Sequence, residues 1–216
     1  MKDSVREELE SLAERVPALS GLKNQIAQAV EILCAAARAD RKILICGNGG
    51  SAADSEHISG ELLKEFKVKR PMPEAFVRQM AQQFGEEGER LAAVLQRGIQ
   101  AVPLVSLTSL STAYMNDAEP AAVFAQGVCA LGREGDVLIA ISTSGNSKNV
   151  VYAMQVARVL GLRIIALTGE TGGRMRSLCD VLLNVPARET YRVQELHLPV
   201  YHTLCAAVER DMFCES

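Results

Sequence analysis

No apolar run in this 216-residue chain reaches the roughly 18 residues that a membrane-spanning helix requires. Nor does the start carry a signal-peptide pattern, since Met1-Lys2-Asp3-Ser4-Val5-Arg6-Glu7-Glu8 is polar and acidic. Positive charge is not in excess: 23 Lys and Arg stand against 26 Asp and Glu, for a net charge of −3 and a pI near 5.7. That balance argues against a nucleic-acid or anionic-membrane surface. The six cysteines include no Cys-x-x-Cys pair. Cys34, Cys46, Cys129 and Cys205 fall inside apolar patterns, where a free thiol behaves as a small hydrophobe, as in a reducing compartment. These absences predict a soluble, cytoplasmic protein.

What is present is enough chain for one domain with a sizeable core, 48% of it apolar. The stretch that organises it runs from Asp136 to Val150. Val137 to Ile141 is apolar without alternation, which reads as a parallel strand buried on both faces. It stops at Ser142-Thr143-Ser144-Gly145-Asn146-Ser147, and a helical pattern carrying Val150, Val151, Met154 and Ala157 begins at about Asn146. A strand, a hydroxyl-rich turn and a helix N-terminus together suit a phosphate ester. First-turn N–H groups lack intrahelical partners, the helix dipole favours an anion, and the hydroxyls donate further bonds. The lysine of a P-loop is missing, which argues against a nucleoside triphosphate site. A capped turn of ordinary chemistry is the alternative.

Earlier in the chain, residues 3–16 and about 20–39 read as two helices divided at Pro17, with Ser20 as N-cap of the second. Their apolar stripes exceed what one sheet face is expected to absorb, so packing on another subunit is expected. Ile43–Cys46 is the first strand, followed by Gly47-Asn48-Gly49-Gly50-Ser51 and a helix over about 52–67. Gly47, Gly49 and Ala52 fit the dinucleotide spacing, but no acidic residue closes a second strand about 20 positions on. The glycine turn still lets backbone approach a ligand closely. On its helix, His57 and Glu61 share a face and can share a ligand or metal; a solvated i,i+4 pair is the alternative.

Residues 71–100 are charged and interrupted by Gly85, Gly88 and Gly98, with helical runs near 74–84 and 86–99. They read as a helical insertion or flap, placed to cap a ligand mouth. Val102–Leu107 resumes the sheet, Thr108–Asp117 is a polar loop ending in Asn116-Asp117, and Pro120 opens a helix to about Leu131. Arg163–Thr168 and Val181–Val185 complete five strands alternating with helices, the second of these at an edge. The fold class is therefore α/β, a three-layer doubly wound sandwich with a five-stranded parallel sheet and extra N-terminal helices over 1–39, in a single domain spanning 1–216. Ligands of such sheets lie beyond the carboxyl ends of the strands, where both polar loops fall.

The last helix, about Thr190 to Phe213, carries Gln194, Glu195, His197 and His202, with Pro199 inside it. By helical angle Glu195 and His202 share a face, whereas Gln194 and His202 differ by about 80°. Periodicity favours Glu195 as the partner of His202, and His197 as a packing or surface residue. His202 as a core or interface histidine remains the plain alternative.

At Gly47-Asn-Gly-Gly-Ser51, His57-x-x-x-Glu61, Ser142–Ser147 and Val193-Gln-Glu-x-His-x-x-x-x-His202 the chain resembles the sugar isomerase (SIS) domains, and among them the phosphoheptose isomerases. The resemblance covers nearly everything except residues 71–100. It implies a homotetramer with sites between subunits, one bound zinc ion per subunit, and a role in heptose biosynthesis. The implied reaction interconverts sedoheptulose 7-phosphate and D-glycero-D-manno-heptose 7-phosphate. His57, Glu61, Gln194 and His202 match the metal-binding positions, and Glu61 and His202 the proton-transfer pair. Ser142, Thr143, Ser144 and Ser147, with Ser51 close by, match the phosphate loop. Asn48, Gly49, Gly50, Asn116 and Asp117 match sugar-contacting positions, with Gln194 on the substrate side as well. The resemblance thus selects Gln194 where helical angle prefers Glu195. The rival reading is a non-catalytic regulator like the DnaA initiator-associating proteins, which share the fold; an isomerase of a different sugar phosphate is another.

Overall fold

The computed structural model describes residues 2–214. Five short strands form its centre: β1 (Ile43–Cys46), β2 (Ala101–Pro103), β3 (Val137–Ser142), β4 (Arg163–Thr168) and β5 (Val181–Asn184). They lie in the order β2-β1-β3-β4-β5, every neighbouring pair parallel, with Ile45 opposite Ile139 and Ile139 opposite Ile165. All six residues of β3 are buried, as an unbroken apolar run requires when both faces of a sheet are covered.

The pleat sends alternate residues to two cores. Ile43, Ile45, Ile139, Ile141, Ile165 and Leu167 face α1 (Asp3–Arg15), α2 (Lys23–Arg38), α3 (Gly50–Leu63) and α8 (Thr190–Phe213). Leu44, Cys46, Leu138, Ala140, Ile164 and Ala166 face α6 (Val123–Leu131) and α7 (Lys148–Val159). This is the expected three-layer, doubly wound sandwich. The chain leaves β1 for the β2 edge and returns to β3 on the other side of β1, so the strand order reverses between β1 and β3. The loops after these two strands therefore flank the crevice where ligands of such sheets bind.

Several local expectations are corrected. The second helix opens with a 3₁₀ turn over Pro17–Leu22 and is α-helical only from Lys23, so Ser20 lies inside the turn and caps nothing. The N-terminal stripes do not stay bare for another subunit. Val5, Leu9, Leu12, Ile26, Val30 and Leu33 are buried in this chain's own core, because α2 and α8 share the sheet face and α1 lies against α8. The strand expected over 102–107 stops at Pro103, which has no N–H to continue a ladder, and Leu104–Ser106 turns into 3₁₀ helix. The polar loop 108–117 is instead helix α5 (Thr108–Asp117), none of it fully buried.

Residues 71–100 form α4 (Glu74–Val94), two runs joined at Gly85, whose φ of 59° and ψ of −142° break the helix. Gly88 permits the close approach there, since a Cβ would lie 2.2 Å from the Met80 carbonyl oxygen. Its stems are pinned together by the Pro71–Gln96 bridge and by Arg97 N–H to Arg70 O at 2.8 Å. This arm springs from beyond the C-terminus of α3, roughly 20 Å of helix from the glycine loop at the N-terminus of α3. No residue of this arm lines the pocket beside that loop.

Candidate active site

The hydroxyl loop between β3 and α7 is held flat by glycine. Gly145 has φ 67°, and a Cβ on it would sit 2.2 Å from the Gly172 carbonyl oxygen, so only glycine lets this loop rest on the one after β4. Gly169 N–H bonds to Thr143 O at 2.9 Å and Arg174 N–H to Asn146 Oδ1 at 3.0 Å, fixing the two loops together. Ser142 Oγ lies 2.8 Å from Ser147 Oγ and 3.5 Å from Ser144 Oγ, so three hydroxyls converge. Ser147 precedes α7 but makes no side-chain cap, its hydroxyl being turned to Ser142. Three hydroxyls at a helix N-terminus are suited to an anion.

The glycine loop adjoins it. Gly49 has φ 57°, and a Cβ on Gly47 would meet Ser51 O at 2.6 Å, while Ser51 itself is buried. Asn48 and Asn149 exchange amide bonds across the gap between the two loops, at 3.0 and 2.8 Å. A pocket of about 230 Å3 opens beside them, bounded by Gly47, Asn48, Gly49, Ser111, Met115 and Asn149. Asn116 and Asp117 follow Met115 at the end of α5; both are exposed, and Asn116 Nδ2 donates to Asp117 Oδ1 at 2.8 Å. Among the described residues, no hydrogen bond ties them to either loop.

Helices α3 and α8 run side by side, and their matched positions sort the remaining candidates. At the top, a Cβ on Gly50 would lie 2.5 Å from Gln194 Nε2, so the Gln194 amide rests on the bare glycine. Farther along, His57 Nε2 is 3.3 Å from Glu61 Oε1 and 3.4 Å from His202 Nε2. Gln194 precedes His202 by about 12 Å of helix rise, so it belongs to the glycine loop here and not to the His57 cluster. Glu195 is exposed. His197 is fully buried against the sheet, with Nε2 3.2 Å from Thr168 O.

Burial, and then the neighbouring His57, lower the pKa of His202, against the opposing pull of Glu61. Burial raises that of Asp54, with a hydrogen bond from Tyr201 opposing it. Glu61 Oε2 is buried without a hydrogen-bond partner. Two imidazole nitrogens and a carboxylate with an unused oxygen are the donors that a divalent cation takes, and they fit one in kind. Among the described residues, no three such side chains already surround a common point.

Sequence reasoning missed a support beneath this cluster. Arg70 and Glu209 form a fully buried pair, with Arg70 Nε 2.7 Å from Glu209 Oε1. The guanidinium also donates to Glu61 O at 3.0 Å and Leu62 O at 2.8 Å, closing the C-terminus of α3. Glu209 accepts in addition from the N–H groups of Phe66, Lys67 and Val68.

The SIS domain family model matches residues 6–100 and 97–169 of the chain, so residues 71–100 fall inside the match and are not the insertion that the sequence suggested. The phosphoheptose isomerase of Akkermansia muciniphila is 35% identical over 213 residues, 99% of each chain. The solved phosphoheptose isomerase of Neisseria gonorrhoeae is 36% identical with a TM-score of 0.70, over 96% of this chain and 93% of that one. That of Francisella tularensis is 28% identical with a TM-score of 0.75, over 97% of this chain and 100% of that one. With its hydroxyl loop, glycine loop and His57–Glu61–His202 cluster on the fold these proteins share, the chain belongs to the phosphoheptose isomerase family of SIS-domain proteins.

Proposed function

We propose that this chain interconverts sedoheptulose 7-phosphate and D-glycero-D-manno-heptose 7-phosphate through an enediol. The observation that carries the reading is the placement of His57, Glu61 and His202 together, farther along α3 and α8 than the glycine and hydroxyl loops. An extended heptose phosphate holds its reactive carbons at the end opposite its phosphate, which suits that separation.

Ser142, Ser144 and Ser147 bind the phosphate, with Thr143 and Ser51 supporting the loops. Asn48, the backbone of Gly49 and Gly50, and Gln194 hold sugar oxygens, with Asn116 and Asp117 closing on the chain of hydroxyls. Glu61 takes the C1 proton of the ketose, and the electron pair of that C–H bond becomes the C1–C2 double bond of the enediol. His202 gives a proton to O2 and receives one from O1, as an imidazole can between two neighbouring oxygens. Glu61 then returns its proton to C2, leaving the aldose. Atoms and electrons balance within the sugar.

His57, Glu61 and His202 would hold zinc, whereas Gln194, expected as a fourth holder by its match to the family, rests on Gly50 and is left to the sugar oxygens. When bound, zinc supplies a positive charge that polarises the carbonyl and stabilises negative charge on the sugar oxygens. The assembly is proposed as a cytoplasmic homotetramer with the sites at its subunit contacts. Incubation of the zinc-supplemented protein with sedoheptulose 7-phosphate should yield the aldose phosphate by chromatography. No conversion, with phosphate binding intact, would refute the assignment.

A further inference from the structure

Behind His57, on the side away from Glu61, stand two groups that the proposed reaction does not use. The Tyr201 hydroxyl lies 3.0 Å from His57 Nδ1 and 3.3 Å from Asp54 Oδ1. Asp54 precedes His57 by one turn of α3, and Tyr201 adjoins His202 on α8, so the three meet where the helices pack. Tyr201 is 1% exposed, and its ring is edge-on to that of His57, with centroids 5.4 Å apart.

The direction of these bonds follows from the inventory of donors. An ionised Asp54 only accepts, so the single hydroxyl proton of Tyr201 goes to Asp54 Oδ1. The Tyr201 oxygen then accepts, and at 3.0 Å it takes the Nδ1 proton of His57; the competing acceptor, Glu61 Oε1, is farther from Nε2 at 3.3 Å and makes an ion-pair contact without hydrogen-bond geometry. That leaves Nε2 of neutral His57 with a lone pair, facing Glu61 Oε1 and His202 Nε2.

We propose that Asp54 and Tyr201 are positioning residues that hold the His57 ring as its Nδ1–H tautomer, with the Nε2 lone pair directed between Glu61 and His202. This rests on the reading of that cluster as a cation site. A hydrogen bond to the distal nitrogen fixes both the tautomer and the plane of a ligating imidazole. The sequence holds only three histidines, so each ring is separable by isotope labelling.

The test uses the full-length protein and its Tyr201→Phe and Asp54→Asn variants. Ring 15N spectra of the metal-free protein at neutral pH should show His57 protonated on Nδ1, and Tyr201→Phe should move the population toward Nε2–H. Competition with a chelator should show Zn2+ bound about 10–100-fold more weakly by Tyr201→Phe. Asp54→Asn should weaken it in the same direction, and it serves if Tyr201→Phe does not fold. A wild-type His57 protonated on Nε2, or a tautomer and Zn2+ affinity unchanged in both variants, would overturn the proposal. The tautomer is read without substrate, so a wild-type protein that lacks isomerase activity yet shows the expected shift would fault the isomerase reading alone.

Discussion

Asn48 and Asn149 hold each other by two reciprocal amide bonds, Asn48 Nδ2 to Asn149 Oδ1 at 3.0 Å and Asn149 Nδ2 to Asn48 Oδ1 at 2.8 Å. One residue belongs to the glycine loop after β1 and the other to the first turn of α7 after β3. The pair therefore sets the distance between the loop proposed to meet sugar oxygens and the loop proposed to meet phosphate. Asn149→Ala removes both bonds, each with a net worth of about 0.5–1.5 kcal/mol. The expected result is a KM raised several-fold with kcat changed less, measured by steady-state kinetics.

The hydroxyl loop gives a second expectation. Ser144 is exposed at its tip, and its Oγ accepts from Asn146 N–H at 3.2 Å. A hydrogen bond to a charged group is worth roughly 1.5–3 kcal/mol. Ser144→Ala should weaken sugar-phosphate binding by about tenfold or more in calorimetry while the thermal transition is retained. Equal affinity would place the phosphate elsewhere.

The Arg70–Glu209 pair governs stability. Removing one member of a buried pair leaves an uncompensated charge and costs about 3–5 kcal/mol. Glu209→Ala also strips the acceptor from the N–H groups of Phe66, Lys67 and Val68. Its urea midpoint, at fixed protein concentration, should fall well below that of the wild type. A shift worth less than about 1 kcal/mol would contradict the role assigned to the pair.

His197 makes stability depend on pH. Burial lowers its pKa from 6.5 to about 4, with its bond to Thr168 O opposing. Between those values the unfolded chain takes up a proton that the folded one refuses, so folding stability falls as pH drops from about 6.5 to about 4. The loss is about 1.4 kcal/mol per unit across that window, and this contribution is level outside it. Denaturation at pH 4.5 and 7 should show a smaller difference in His197→Asn than in the wild type. Equal differences would contradict the assignment.

The sheet was legible because β3, β4 and β1 are unbroken apolar runs ending in polar turns, and burial on both faces demands that pattern. Helix α5 was not, since Ser109, Ser111, Thr112 and Asn116 carry turn chemistry and none of its residues needs to be fully buried. The N-terminal stripes were seen, but the burial of α1 against α8 joins opposite ends of the chain and leaves no local trace. Helical angle compared Gln194 and Glu195 only with His202, whereas the neighbour that the structure gives Gln194 is Gly50 on another helix. Tyr201 and Asn149 were missed for the same reason, their partners lying more than a hundred residues away. Asp54 had a signal, being one turn from His57 on the same helix.

The measurement that bears most directly on Glu61 as the proton carrier compares wild type with Glu61→Gln on sedoheptulose 7-phosphate. The substitution keeps the shape and one oxygen but removes the base. Turnover should fall by about 10²–10⁴-fold, the range of a positioned acid–base group, while calorimetry still finds substrate bound. Turnover near the wild-type rate in Glu61→Gln would contradict the account.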